Sequence, residues 1–150
     1  MTTKYIYLTG IIEWAKVREP DEKYNNYTID LYLDDPSWAV FKASEIQVTP
    51  KEKDGKKFVT FRRPHVKLIK NDMVTFGPPE VLINTGKKDD SGTSIYEKYD
   101  GIIGNGSFVS IKVAVYDTQR GKGHRLETVA VETLVEYNPE PKDSGPKMPF

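Results

Sequence analysis

Aromatic and cationic side chains follow one another closely in several extended segments of this chain. We expect Tyr32, Phe108 and Tyr116 to face away from an aliphatic core. Trp14 shares a strand face with Lys16, and Phe61 stands next to Arg62. The cations interleaved with them or close to them in sequence are Lys16, Lys56, Lys57, Arg62, Arg63, Lys67 and Lys112. A flat ring stacks on any nucleobase for about 1–3 kcal/mol, while Lys and Arg neutralise phosphates. This set of residues therefore favours sequence-independent binding of a single-stranded nucleic acid.

The charge of the chain is balanced in total but unevenly placed. There are 22 basic and 22 acidic residues, so the formal net charge is zero. Between residues 51 and 70, however, eight Lys or Arg stand against two Asp or Glu, a local +6. A basic stripe attracts a polyanion whatever the total charge. A solvated surface is the alternative interpretation of such a run.

Signatures of catalysis and of metal binding are missing from the sequence. His65 and His124 are the only histidines, and there is no nucleophile elbow and no phosphate-binding loop. Cysteine is absent, which excludes disulfides, thiolate nucleophiles and cysteine-based zinc sites. We therefore expect no enzymatic activity, no catalytic residue, no metal site and no cofactor.

Strand patterns dominate the secondary structure that the sequence predicts. Segments with strand character lie at 4–18, 27–33, 58–63, 80–83, 108–117 and 126–137. A bend or bulge is expected near Gly10. One helix is predicted after Leu33, with Asp35 as N-cap and Pro36 in its first turn. Residues 51–57 predict a charged loop that turns at Asp54-Gly55, and residues 84–100 a long mobile loop.

About five strands and one short helix predict an all-β domain that spans residues 1–137. A small, curved antiparallel barrel accounts for this pattern, and a β-sandwich is the alternative. The Pro-rich segment 138–150 predicts a flexible, disordered tail. No apolar run approaches the roughly 20 residues of a membrane span, and the start lacks the apolar stretch of a signal peptide. We therefore expect a soluble cytoplasmic protein.

Four segments together resemble a known family. They are WAKVREPDEK at 14–23, YTIDLYL at 27–33, GNGSFVSIKVAVY at 104–116 and RLETVAV at 125–131. With them the chain resembles phage-encoded single-stranded DNA-binding proteins with an OB-fold, over roughly residues 4–137. The resemblance implies a five-stranded antiparallel OB barrel and sequence-independent binding to single-stranded DNA in phage replication, recombination or repair. It also implies a non-enzymatic protein of the host cytoplasm.

The chain ends in Met148, Pro149 and Phe150. Single-stranded DNA-binding proteins commonly end in a flexible acidic tail whose terminal Phe recruits replication or recombination enzymes, and a ring next to a carboxylate fits a small apolar pocket rimmed by cations. The last residues of this chain match the pattern, but the acidic run before them is absent. Residues 138–150 hold two acidic residues and two lysines, whose charges cancel. An inert end is the alternative.

Other functions fit the same residues. An RNA-binding OB domain would use similar rings and cations. A structural or virion interaction protein with a β-sandwich would assemble without nucleic acid, and a nuclease ranks last because no catalytic set is visible. The sequence leaves the oligomeric state open.

Overall fold

The computed structural model describes residues 3–17, 26–69, 71–119 and 121–135, with residues 66–69 described by their backbone alone. The predicted tail at 138–150 lies outside the described residues. So do the domain boundary placed after residue 137 and the side chain of Lys67.

The described chain consists mostly of strands. The elements are β1 (Lys4–Lys16), β2 (Asn26–Leu33), α1 (Asp35–Ser44), β3 (Lys51–Lys53), β4 (Lys56–Pro64), β5 (Val66–Ile69), β6 (Asp72–Thr75), β7 (Glu80–Lys88), β8 (Ser94–Lys98), β9 (Ser107–Thr118) and β10 (Gly121–Thr133). The main sheet has eight strands in the order β3-β4-β2-β1-β9-β10-β7-β8, and β5 and β6 form a separate hairpin. The predicted all-β class is confirmed, but the predicted five-stranded antiparallel barrel is wrong: the main sheet has eight strands, is not a closed barrel, and pairs β7 with β10 in parallel.

The central strands of the sheet curl around one core. Among the described residues, β4 and β10 share no backbone ladder, yet they face each other across a seam. There the Arg62 backbone N–H donates to His124 Nε2 at 3.1 Å, and Arg63 Nη1 donates to the Leu126 carbonyl oxygen at 3.2 Å. The strand order β4-β2-β1-β9-β10 with this seam makes a partly open barrel, to which β7 and β8 are added.

The additional strands lie where a long mobile loop was predicted. Residues 84–100 contain most of β7 and all of β8. β7 pairs in parallel with β10, with Val81 opposite Val129 and Ile83 opposite Val131. The alternation is weak in sequence because the edge strand β8 and the end of β7 are exposed. The predicted loop at 51–57 likewise forms β3 and the start of β4, although its turn at Asp54-Gly55 is confirmed.

The aliphatic alternation of β9 points into the core as predicted. Val109, Ile111, Val113 and Val115 are all buried. On β1 the inward positions Leu8 and Ile12 meet them from across the pair. Burying such side chains stabilises the fold by roughly 1.5–3 kcal/mol each. The curl of the sheet therefore follows from one aliphatic face that has to be closed off from water.

Helix α1 covers one end of this core. Asp34 Oδ1 accepts the Ser37 N–H at 3.0 Å, so Asp34 is the N-cap and the prediction of Asp35 is wrong. The helix packs through Phe41, whose ring meets Phe61 edge-on with 6.1 Å between centroids.

Within the described ranges, no helix combines the length and apolar character needed to cross a membrane.

β1 runs through Gly10 without a break. A Cβ at Gly10 would lie 2.2 Å from the Tyr32 carbonyl oxygen, so the close approach of β2 requires glycine there. The bulge lies further along, between Glu13 and Lys16. Trp14 within it has a φ of 51°, which is unusual for a bulky residue. Bulges redirect side chains and recur beside functional sites.

Candidate nucleic-acid interface

An apolar row crosses the outer face of the curled sheet. Directly opposed residues of an antiparallel pair lie on the same face. Ile11 of β1 is opposite Phe108 of β9 on one side and Tyr32 of β2 on the other. The Tyr32 ring contacts the Phe58 ring of β4, with 5.1 Å between centroids. We call Phe108, Ile11, Tyr32 and Phe58 the apolar row; its three rings are half-buried and Ile11 is exposed.

Exposed cations flank the apolar row on the same outer face. The register places Lys51 opposite Phe58, Lys53 opposite Lys56, and Thr28 opposite both Arg62 and Lys16. On β1, β3 and β4, five cations of this face are exposed: Lys16, Lys51, Lys53, Lys56 and Arg62. Strands hold them at fixed spacing, so their positive potentials add over one surface.

Two carboxylates on this face are already engaged by neighbouring hydroxyls. Asp30 accepts a hydrogen bond from Thr60 Oγ1 at 2.7 Å, and Glu13 accepts one from the Tyr32 hydroxyl at 3.4 Å. A third carboxylate, Asp54, lies at the turn of β3 and β4 beside Lys53 and Lys56. Five cations against three carboxylates leave this part of the face with a net positive charge.

A basic cleft of about 490 Å³ opens beside the apolar row, between β4, the segment after α1 and the hairpin of β9 and β10. Its charged and aromatic lining residues are Lys51, Arg62, Tyr116, Lys122 and His124. No carboxylate is among its lining residues, although Lys122 forms an ion pair with the exposed Asp117. A second cleft of about 280 Å³ lies between Tyr32 and the turn of β3 and β4.

Tyr116 is held as a wall of the basic cleft. A Cβ on Gly123 would lie 2.8 Å from a Tyr116 ring carbon, so the missing side chain leaves room for the ring to lie across β10. The Tyr116 hydroxyl donates to the His124 carbonyl oxygen at 3.3 Å. A ring fixed in this way needs little further ordering to stack on a base.

His124 is neutral at the back of the basic cleft. Burial and the nearby Arg62 charge lower the pKa of His124 to about 4. Its Nε2 accepts the Arg62 backbone N–H, which a protonated imidazole could not do. Its ring also meets Phe61 edge-on, with 5.7 Å between centroids.

His124 is expected to make stability depend on pH. Its pKa falls from 6.5 in the unfolded chain to about 4 in the folded protein, so the unfolded state takes up the proton first. The stabilisation is complete above pH 6.5 and is lost as pH falls toward 4, by up to about 3 kcal/mol. Urea unfolding between pH 7 and 5 measures this slope before most carboxylates titrate. His124→Gln should remove the slope and His65→Gln should keep it; an equal slope in His124→Gln would contradict the assignment.

A larger cleft of about 680 Å³, whose lining includes Lys112 of the outer face, is balanced in charge. Its charged lining residues are Arg63, Lys98, Lys112, Glu80, Asp100 and Glu127. Three cations against three carboxylates give no net attraction for a polyanion, so size alone does not make it the nucleic-acid site.

Phe61 and Arg63 do not lie on the outer face. Phe61 is 0% exposed in the core, so the prediction that it stacks on a base is wrong. Arg63 bridges the seam: it donates to the Gly77 carbonyl at 2.7 Å and pairs with Glu127 at 3.2 Å. Successive strand residues point to opposite faces, so Arg62 points outward while both its neighbours point inward.

The other predicted residues divide between the outer face and other surfaces. Those on the outer face are Lys16, Tyr32, Lys56, Arg62, Phe108, Lys112 and Tyr116. Lys57 is exposed, but it lies opposite Glu52 in the strand register. It is one position away from the outward residues Lys56 and Phe58 and therefore points to the other face. Trp14 is 59% exposed in the bulge, where its backbone N–H donates to Asn105 Oδ1 at 2.8 Å. Its role stays a prediction.

The predicted site residues leave out Phe58, Lys122 and His124, as well as Lys51 and Lys53, which the sequence analysis counts only as part of the basic run at 51–70. For Phe58 a signal was present, because Phe58, Thr60 and Arg62 alternate with the apolar residues Val59 and Phe61. For Lys122 and His124 the sequence holds no such signal, because they come close to Arg62 only through the seam between β4 and β10.

Solved structures of phage proteins match this chain. A single-stranded DNA-binding protein from bacteriophage Enc34 matches with a TM-score of 0.51 and 13% identity, over 88% of this chain and 87% of that one. The chain shares the fold of phage single-stranded DNA-binding proteins. gp2.5, a single-stranded DNA-binding protein encoded by bacteriophage T7, matches with a TM-score of 0.50 and 16% identity, over 95% and 98% of the two chains.

The Enc34 protein also matches in its complex with single-stranded DNA, with a TM-score of 0.51 and 13% identity over 88% of each chain. No family model matches this chain, and no curated protein matches its sequence. The resemblance drawn from the strand segments is therefore confirmed by structures, at the level of the fold.

Proposed function

We propose that this chain is a phage-encoded, sequence-independent single-stranded DNA-binding protein that acts in replication, recombination or repair. The observation that carries the proposal is the outer face of β1 to β4 and the start of β9, where the apolar row lies among five exposed cations. The fold shared with two phage single-stranded DNA-binding proteins, one of them solved with single-stranded DNA, supports it. On this proposal the curled strands form an OB-type barrel that is partly open.

Binding on this face combines stacking with phosphate contacts. Bases lie against Tyr32, Phe58 and Phe108, and the flanking Lys and Arg side chains neutralise the backbone. Rings recognise a base by its flat face, which every base has, so the binding is independent of sequence. Paired bases are stacked inside a duplex and cannot reach these rings. The one described helix, α1, packs on the core through Phe41 and carries a single Lys, so no helix is offered to a DNA groove.

The same surface gives no support to catalysis. Its polar groups are cations and hydroxyls, and its carboxylates Asp30 and Glu13 are bonded to neighbours. We propose a non-enzymatic binding protein without a cofactor.

We further propose that residues 138–150 form a tail through which Phe150 recruits a replication or recombination enzyme. This proposal rests on the sequence of the last residues.

Arg62→Ala is expected to reduce the salt dependence of DNA binding. Each phosphate contact to a single strand contributes about −0.7 to the slope of log K against log salt. Losing one contact should therefore make the slope shallower by about 0.7. Fluorescence anisotropy of a labelled dT oligomer over a series of salt concentrations measures it.

Lys57→Ala is the matched control, because Lys57 is a nearby exposed cation that is out of phase with the outer face. Its slope should equal that of the unmodified protein. Equal slopes for Arg62→Ala and the unmodified protein would remove Arg62 from the phosphate contacts. Tighter binding of a matched RNA oligomer would favour the RNA-binding alternative.

A further inference from the structure

A second set of exposed rings lies on the outer face, beyond the apolar row. Tyr7 is 66% exposed and Tyr5 is 48% exposed, both on the first half of β1. Lys112 of β9 is opposite Tyr7, and its Nζ lies 4.5 Å from the centre of the Tyr5 ring. We call Tyr5, Tyr7 and Lys112 the second platform. Large rings left this open on a rigid strand pair are typical of a binding surface.

The second platform is continuous with the apolar row. Outward positions of β1 recur every second residue, so Tyr5, Tyr7 and Ile11 share one face. β9 pairs with β1 along the whole distance, from Lys4 to Ile12. Tyr7 and Ile11 are four residues apart, about 13 Å along the strand. One ligand that lies on the apolar row therefore reaches the second platform without leaving the sheet.

The charges of this stretch suit a polyanion. Outward positions from Tyr5 to Ile11 on β1, and the positions facing them on β9, carry no carboxylate in the described chain. Beyond β9, Glu80, Asp100 and Glu127 line the larger cleft, whose lining also includes Lys112. Two more carboxylates border the stretch. Asp34 is engaged by the Thr9 hydroxyl and the Ser37 N–H, and Glu132 accepts hydrogen bonds from Ser110 at 2.8 Å and from Tyr96.

We propose that the second platform binds further nucleotides of the same single strand, so that the strand continues from the apolar row across β1 and β9. This inference rests on the proposed function. It adds a stacking site for one or two bases, with Lys112 for a phosphate. Longer strands gain affinity from it, whereas strands short enough to occupy the apolar row alone do not.

The test compares two dT oligomers. The short one has about 6 nucleotides, within the length that one OB fold binds, and the long one has about 20, beyond that length. The double variant Tyr5→Ala/Tyr7→Ala should bind the short oligomer as tightly as the unmodified protein does, and the long one about tenfold more weakly. Tyr5→Phe/Tyr7→Phe keeps the rings and should restore the long-oligomer affinity. Met73→Ala, at a position 69% exposed on β6, is the control for losing an exposed apolar side chain.

Each outcome decides one question. If the unmodified protein binds neither oligomer, the proposed function fails. If it binds both and the double alanine variant matches it at both lengths, the second platform is not a DNA site. If sedimentation shows that the double variant abolishes self-association and leaves both affinities unchanged, the rings serve a second copy of the chain and the inference is overturned. Photo-crosslinking of an iodouridine-substituted long oligomer to Tyr5 or Tyr7 would support it directly.

Discussion

Phe61→Ala is expected to lower the free energy of unfolding by about 3–5 kcal/mol. The Phe61 ring is fully buried between Phe41 and His124, with centroid distances of 6.1 and 5.7 Å. Removing it leaves a cavity among strands that cannot collapse without breaking their ladders. Because a domain has only about 5–15 kcal/mol of stability, this one substitution removes a large share of it. Urea unfolding at neutral pH measures the loss.

Phe58→Ala is the matched control for Phe61→Ala, because the two rings lie on opposite faces of β4. Phe58→Ala should cost less stability, since its ring is half-buried, and should weaken DNA binding. Phe61→Ala should leave the DNA affinity of the folded protein unchanged, when measured at low temperature where the variant stays folded. An affinity loss as large as that of Phe58→Ala would contradict the assignment of the two faces.

Tyr32→Ala is expected to weaken binding of a dT oligomer by about 1–3 kcal/mol, or roughly 5- to 150-fold. Tyr32 lies in the middle of the apolar row, in contact with Phe58 at 5.1 Å and opposite Ile11. Removing its ring deletes a stacking surface and loosens the neighbouring ring, so losses from Tyr32→Ala and Phe58→Ala should not simply add. Anisotropy titrations with dT, dC and dA oligomers measure the effect.

The loss from Tyr32→Ala should be similar for all three oligomers, because stacking does not read base edges. Tyr32→Phe keeps the ring face and should bind like the unmodified protein. Ile95→Ala, at an exposed position on the edge strand β8, should also leave the affinity unchanged. A loss confined to one base would show hydrogen-bonded recognition in place of stacking.

The sequence predicts best the strands that bury one aliphatic face. In β9 the alternation of Val109, Ile111 and Val113 identified both the strand and its inward side, since a strand has a period of two. Similarly, Asp54-Gly55 predicts a hairpin turn because Asp and Gly tolerate the positive φ that such a turn requires. In the structure the two φ angles are 52° and 80°. These features are local, so neighbouring residues are enough to specify them.

Features that depend on distant partners could not be predicted in this way. β8 and the second half of β7 are polar in sequence, and they extend the sheet at β10, where Asn84 and Tyr96 donate to Glu132. The sequence predicts that Arg63 contacts DNA, but at the seam it pairs with Glu127.

Phe61 was a different kind of error. The prediction that Phe61 stacks on a base rests on its being next to Arg62 and Arg63 in sequence. In a strand, however, successive residues point to opposite faces. Applying the period of two would have assigned Phe58 and Arg62 to the outer face and Phe61 to the core. The binding face is thus partly readable from sequence once the strand register is respected.

The most direct test of the account is to map which backbone amides respond to a dT oligomer by nuclear magnetic resonance. If the outer face of β1 to β4 binds single-stranded DNA, the largest shift changes should fall at and beside Tyr32, Lys51, Phe58 and Arg62. The edge strands β7 and β8 should change little. Saturable shifts confined to β7 and β8, with the apolar row unaffected, would contradict the account.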